Sequence, residues 1–84
     1  MKKALLQKPA DSVLKRYPLI EIAGQNRVLI ENHQGILAYM ENEIQVKVSY
    51  GCIVINGESL QFLQMSKMQL VICGKIQCVQ LLGR

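Results

Sequence analysis

Short apolar runs that end in glycine recur along most of this 84-residue chain. Three of them share the pattern aliphatic-x-Ile-x-Gly, and they span residues 20–24, 53–57 and 70–74. Two aliphatic residues spaced two apart lie on the same face of a β-strand. The glycine that follows permits the positive φ that a tight turn needs. The pattern therefore predicts a ladder of short β-strands joined by turns.

Alternation of apolar and polar residues extends this prediction to about eight short, mainly antiparallel strands. The clearest alternation spans residues 43–49, where positions 44, 46 and 48 are aliphatic and positions 43, 45 and 47 are polar. Such a strand has one face in the core and one in solvent. Asn56-Gly57 predicts a hairpin turn. We expect a single small all-β domain built as a meander, a sandwich or a roll.

Two features of the strand pattern leave alternatives open. Residues 76–82 carry apolar residues of both parities, which predicts a bulge near Cys78 and Val79 or burial of both strand faces. The aliphatic-x-Ile-x-Gly pattern recurs after 33 and then 17 residues, counted from 20 to 53 and from 53 to 70. A near-twofold ratio of intervals admits a solenoid-like roll. Hairpins that reuse the same turn chemistry are the simpler explanation.

The three cysteines are odd in number and lie inside strand-like runs at Cys52, Cys73 and Cys78. A secreted domain of this size more often has an even set of cysteines. A turn at Gly74 could bring Cys73 and Cys78 close together, but reduced cysteines that act as small apolar residues are the favoured interpretation. We therefore expect a reducing, intracellular compartment. The apolar start of the chain stops at residue 7, which is too short for a secretion signal.

Positive charge is concentrated in the first 16 residues, which we call the basic arm. The arm has one acidic residue, Asp11, and a net charge of +4, whereas residues 17–84 hold five bases and five acids. We expect the arm to be separate from a β domain at 17–84, and to be irregular or to form a short helical segment within residues 9–16. Such arms contact acidic surfaces or serve as solvated tails. Its basic residues are Lys2, Lys3, Lys8, Lys15 and Arg16.

Candidates for catalysis are few. His33 lies in a turn-like segment, with Glu31 close enough in sequence to polarise its imidazole. No nucleophile motif lies nearby, and Asn32, His33 and Gly35 are ordinary turn residues. No glycine-rich loop precedes a helix to hold a phosphate, and no aromatic pair lies in a basic strand. We therefore expect no catalytic residues, no cofactor and no metal, and we consider nucleic acid an unfavoured partner.

The order of these segments resembles the YabP/YqfC family of sporulation proteins, and more closely its YqfC branch. The similarity runs over residues 9–82, and its most specific part is Glu31-Asn32-His33-x-Gly35-Ile36. We call Glu31, Asn32, His33 and Gly35 the signature turn. The remaining matches are the Ile-x-Ile-x-Gly segments and Tyr39, which are individually weak.

The resemblance implies a cytoplasmic, non-enzymatic protein of an endospore-forming Firmicute. It implies a role in spore assembly through protein–protein contacts, by self-association or with another sporulation protein that is embedded in a membrane. The basic arm would then lie at the periphery of the forespore membrane. Two alternatives stay open: a small nucleic-acid-binding β domain that uses the arm, and an enzyme that uses His33 or a cysteine.

Overall fold

Six strands form one antiparallel sheet with the order β1-β2-β6-β5-β4-β3. The computed structural model describes residues 17–83, so the basic arm and its expected helical turns lie outside the described residues. Neighbouring strands are antiparallel throughout, which confirms the all-β prediction and excludes a solenoid of parallel coils within residues 17–83. The strands are β1 Leu19–Ala23, β2 Arg27–Glu31, β3 Ile36–Met40, β4 Glu43–Val48, β5 Gly51–Met65 and β6 Gln69–Gly83.

The expected number of strands is wrong, because four of the expected strands join into two long ones. β5 and β6 have 15 residues each and pair along their whole length as one hairpin. Asn56-Gly57 is not a turn but lies inside β5, where the Asn56 side-chain amide donates to Glu43 Oε1 at 3.1 Å. Gly74 likewise lies inside β6. The glycines therefore have another role in these two strands.

Register shifts bend the long hairpin at its middle and divide the sheet into two halves. β4 pairs with the first residues of β5 (51–56), and β2 pairs with the first residues of β6 (69–73). Each half is thus a four-stranded layer, one holding β3 and β4 and the other holding β1 and β2. Between the two halves the β5–β6 register shifts more than once, as expected where β-bulges bend a strand.

The turns of the two short hairpins, β1–β2 and β3–β4, form backbone hydrogen bonds with the bend of the β5–β6 hairpin. The Gly57 amide donates to the Asn42 carbonyl at 3.1 Å, and the Gly74 amide donates to the Asn26 carbonyl at 3.2 Å. The Ile76 amide adds a bond of 2.7 Å to the carbonyl of Gln25. Both long strands therefore keep their backbone groups paired where the sheet changes direction.

The core is aliphatic and is shared by both halves of the sheet. No polar or charged side chain among the described residues is buried. The alternation in β4 is confirmed, because Ile44, Val46 and Val48 are buried and their neighbours are not. The expected bulge in β6 is also confirmed: the register shifts between Ile76 and Cys78. The buried cluster consists of Val28, Ile30, Ile44, Val46, Val48, Ile53, Ile55, Leu60, Leu70 and Ile72.

Candidate interaction site

The signature turn joins the two halves of the sheet and fastens them to the β5–β6 turn. Asn32 has a φ of 66°, which an asparagine tolerates better than most residues. Its amide donates to the Met68 carbonyl at 2.8 Å, and its side-chain amide donates to the Tyr17 carbonyl at 3.0 Å. The Glu31 carboxylate accepts a bond of 3.2 Å from the Gln69 side chain. The turn is thus held by contacts far away in sequence.

His33 completes this attachment with both ring nitrogens. Nδ1 accepts from the Gly35 amide at 3.0 Å, and Nε2 lies 3.0 Å from the Ser66 carbonyl oxygen. A neutral imidazole that accepts at Nδ1 carries its proton on Nε2, so Nε2 donates to Ser66. The favoured interpretation of His33 as a turn residue agrees with these contacts: the imidazole bridges two backbone segments, and the Glu31 carboxylate contacts Gln69 instead.

Gly35 ends the signature turn in a conformation that suits glycine, with a φ of 124°. Its carbonyl accepts from the Lys47 amide at 2.8 Å, and the Lys47 carbonyl accepts from Gln34 at 2.7 Å. These bonds extend the β3–β4 ladder back toward β2. Every residue of the signature turn thus has a structural contact that accounts for its type.

The cysteines lie apart and form no disulfide. The idea that a turn could bring Cys73 and Cys78 together is wrong, because both lie in β6. Five residues of extended strand separate them by roughly 16 Å, and a disulfide needs Cα atoms within about 7 Å. Cys52 and Cys73 are half-buried, whereas Cys78 is exposed.

Apolar side chains on the surface are the most prominent remaining feature. On the outer face of the β3–β4 half, Leu37 and Leu82 flank a groove of about 470 Å³ whose floor includes Cys52 and Gly51. Both leucines are about half exposed, at 55% and 45%. Contiguous apolar surface of this kind marks interaction sites more often than single exposed residues do.

The two sides on which an outer strand approaches the β5–β6 hairpin differ in their contacts. On one side β3 contacts β5 through Tyr39 and Phe62, whose rings meet edge to face with centroids 5.0 Å apart. On the other side a groove of about 330 Å³ lies between β1 and β6, lined by Ile22, Ile76 and Val79 among others. We call residues 78–83 of β6, which border this side, the β6 edge.

Sequence reasoning did not identify the β6 edge. The only signal available was the absence of charge between Lys75 and Arg84. That signal has no meaning until the strand order shows that these residues border the sheet. The basic residues of the arm lie outside the described residues, so the structure places none of them.

Among residues 17–83, no group of three or more His, Cys, Asp or Glu side chains could hold a metal ion. Within the same range no helix is long and apolar enough to cross a membrane.

Comparison with known proteins places this fold in a family. The model of the YabP family matches residues 15–84. This chain belongs to the YabP family. A curated relative, "Uncharacterized protein YqfC" of Bacillus subtilis (strain 168), is 29% identical over 75 residues. That alignment covers 89% of this chain and 80% of the relative. No solved structure matches the chain significantly. The predicted YabP/YqfC membership is thereby confirmed.

Proposed function

We propose that this YabP family protein is a non-enzymatic assembly protein of bacterial endospore formation. Family membership supports this proposal, because the resemblance to sporulation proteins carries that role with it. We further propose that it works in the cytoplasm of the sporulating cell, through protein–protein contacts at the periphery of the forespore membrane.

The observation that carries the contact mechanism is the amount of exposed apolar surface on so small a domain. Met65 and Leu81 are each 58% exposed, in addition to the leucines of the outer groove. An aliphatic core of this size has a small stability margin, so association that covers such side chains would stabilise the fold. Surfaces rather than a pocket of reactive groups would therefore do the work.

The basic arm has a role in this proposal. Its net charge of +4 suits an anionic membrane surface, and the remaining residues 17–84 are neutral overall. Each basic residue near such a surface contributes about 1 kcal/mol of attraction. The arm would thus hold the domain near a membrane in which a partner protein is embedded.

A deletion of the gene in its sporulating host tests the function. We expect fewer mature spores, restored by the wild-type gene and also by a variant with Cys52, Cys73 and Cys78 changed to serine, because no thiol chemistry is required. A normal spore yield after deletion would contradict the proposed role. Failure of the serine variant alone, with its fold intact, would favour the enzyme alternative.

A fluorescent fusion tests the location. We expect a signal at the forespore boundary with the complete chain and a diffuse signal without residues 1–16. An unchanged boundary signal in the truncated fusion would remove the arm from the proposal. A nucleoid-associated signal that needs the arm would favour the nucleic-acid alternative.

A further inference from the structure

Four strand edges lack a pairing strand within residues 17–83, and three of them carry features that discourage pairing. The outer edge of β1 has a charge at its centre, Glu21. The edge of β3 has a register shift between Ile36 and Ala38. The edge formed by the last residues of β5 has a register shift between Phe62 and Gln64. Charges and bulges at these positions are common ways to block sheet extension.

The β6 edge has none of these features. Its six residues pair with residues 51–56 of β5 in an unbroken register. The sequence Cys-Val-Gln-Leu-Leu-Gly contains no charge and no proline. Each alternate residue directs an amide and a carbonyl away from β5, so the edge presents a regular ladder of hydrogen-bonding groups.

Core-facing side chains beside this edge are left uncovered. Leu81 pairs with Ile53, which is completely buried, and directly paired residues lie on the same face of a sheet. Leu81 therefore faces the core side, yet it is 58% exposed. Ile22 on the opposite side of the groove is 55% exposed. A further strand next to β6 would cover Leu81.

We propose that the β6 edge of a second copy of this chain is the strand that covers Leu81. Antiparallel pairing about a twofold axis near Gln80 places Val79 opposite Leu81 on the core side and Gln80 opposite Gln80 on the outer side. Apolar residues thus meet apolar residues, and no like charges come together. Residues 17–84 carry five bases and five acids, so two domains approach without net repulsion.

The pairing joins two copies into one continuous layer. Each copy contributes its β3, β4, β5 and β6, and the joined layer has the order β3-β4-β5-β6-β6-β5-β4-β3. The contact is a ladder of backbone hydrogen bonds with side chains that add specificity, as in other cases of strand addition. It deepens the proposed function by naming the partner, and rests on that function only for its biological purpose.

Sedimentation equilibrium of the full chain under reducing conditions, from micromolar to millimolar protein, tests the dimer. We expect a monomer–dimer equilibrium that Leu81→Lys weakens by at least about tenfold, since a lysine there would bury its charge against Val79. The matched control is Leu63→Lys, because Leu63 is 57% exposed and lies on an edge with a bulge. We expect this control to dimerise like the wild type.

Amide hydrogen exchange identifies the surface that pairs. We expect the amides of residues 78–83 that point away from β5 to become protected as protein concentration rises, and to lose that protection in Leu81→Lys. A wild type that stays monomeric at all concentrations would overturn the proposal. So would equal dimerisation of Leu81→Lys, or a dimer in which these amides exchange as fast as in the monomer.

Protection of the same amides in a monomer would also overturn it, by showing that the occupant belongs to the same chain. Circular dichroism checks that both lysine variants are folded. These measurements need no spore phenotype, so a failed dimer leaves the sporulation role to be judged by the deletion experiment alone.

Discussion

Gly57 and Gly74 allow two backbone segments to approach each other closely at the bend of the β5–β6 hairpin. A Cβ atom at Gly57 would collide with the Lys75 carbonyl oxygen and would lie 3.0 Å from the carbonyl carbon. At Gly74 it would lie 2.6 Å from the Ser59 carbonyl oxygen. Backbone atoms cannot rotate away as a side chain can, so any larger residue must displace the neighbouring strand.

Gly57→Ala should therefore destabilise the domain severely, by about 3 kcal/mol or more in the free energy of unfolding. Gly83→Ala is the control, because a Cβ at Gly83 meets nothing nearer than the Tyr50 carbonyl oxygen at 3.8 Å. Chemical denaturation followed by circular dichroism measures both variants. Equal midpoints for the two variants would show that β5 relaxes around the added methyl group.

His33 provides a second test at the level of single residues, since its ring joins the backbone at Gly35 to the backbone at Ser66. Removal of the imidazole leaves a donor and an acceptor without these partners. We expect His33→Ala to lower the free energy of unfolding by about 1–3 kcal/mol. Lys67→Ala, an exposed change in the same β5–β6 turn, should have little effect. A neutral His33→Ala would contradict the structural role of the signature turn.

At the level of elements, local patterns predicted which segments are extended but placed turns inside the two long strands β5 and β6. The alternation in β4 identified its buried face because one side of that strand covers the core. Asn56-Gly57 has the composition of a hairpin turn, yet it continues as strand. Pairing with Cys78 and Ile76 of β6 on one side, and the bond to the Asn42 carbonyl on the other, hold it extended. Those partners are distant in sequence, so no local pattern could reveal them.

The interval of 17 residues between two glycine motifs now has a structural explanation. Ile53 and Ile55 precede Gly57 in β5, just as Leu70 and Ile72 precede Gly74 in β6. All four aliphatic residues are buried, and each glycine amide donates to a turn of its adjacent short hairpin. The motif therefore marks equivalent positions in the two strands of one hairpin and not successive coils of a solenoid.

The candidate site was predictable only in part, for a similar reason. The signature turn could be recognised from its residues, but its partners Ser66, Met68 and Gln69 depend on how the two halves fold together. The β6 edge depends on the order of strands in the sheet. A strand becomes an edge through the absence of a neighbour, and its own sequence does not record that absence.

The contact between Tyr39 and Phe62 gives a prediction about how the β3 and β5 edges are held together. A double-mutant cycle with Tyr39→Ala and Phe62→Ala should give a coupling energy of about 0.5–1.5 kcal/mol, because edge-to-face rings attract each other beyond the area they bury. The cycle with Tyr39→Ala and Ile22→Ala is the control, since Ile22 lies in the groove beside β6. Coupling near zero in the first cycle would show that the ring contact does not hold the edges together.

At the scale of the whole molecule, charge and apolar surface lie on different parts of the chain. The arm carries the net positive charge, whereas residues 17–84 hold equal numbers of acids and bases, and residues 17–83 expose apolar side chains. Electrostatic attraction to a surface and pairing with a second copy therefore use separate regions. Two copies joined through the β6 edge would present two arms, so attraction to one membrane surface would add between them.

Replacement of the five basic residues of the arm by glutamine tests this division. The full-length variant should lose most of its binding to vesicles that contain anionic lipid, because each removed charge contributes about 1 kcal/mol near such a surface. Added salt should weaken the wild type in the same way by screening. The control, with Lys47, Lys67 and Lys75 changed to glutamine, removes charge from the domain and should bind nearly as well as the wild type.

Parallel titrations decide between a membrane and a nucleic acid as the target of the arm. Binding of the wild type to zwitterionic vesicles should be weak, and binding to mixed-sequence oligonucleotides should be weaker than binding to anionic vesicles at equal salt. Tighter binding to oligonucleotides would reverse that assignment if added salt weakens it steeply. Salt has this effect because it reduces the free energy gained when counterions are released from the phosphates. The β6 edge would be unaffected by this outcome, because dimerisation of the arm variant should equal that of the wild type. A weaker dimer in the arm variant would contradict the separation of the two regions.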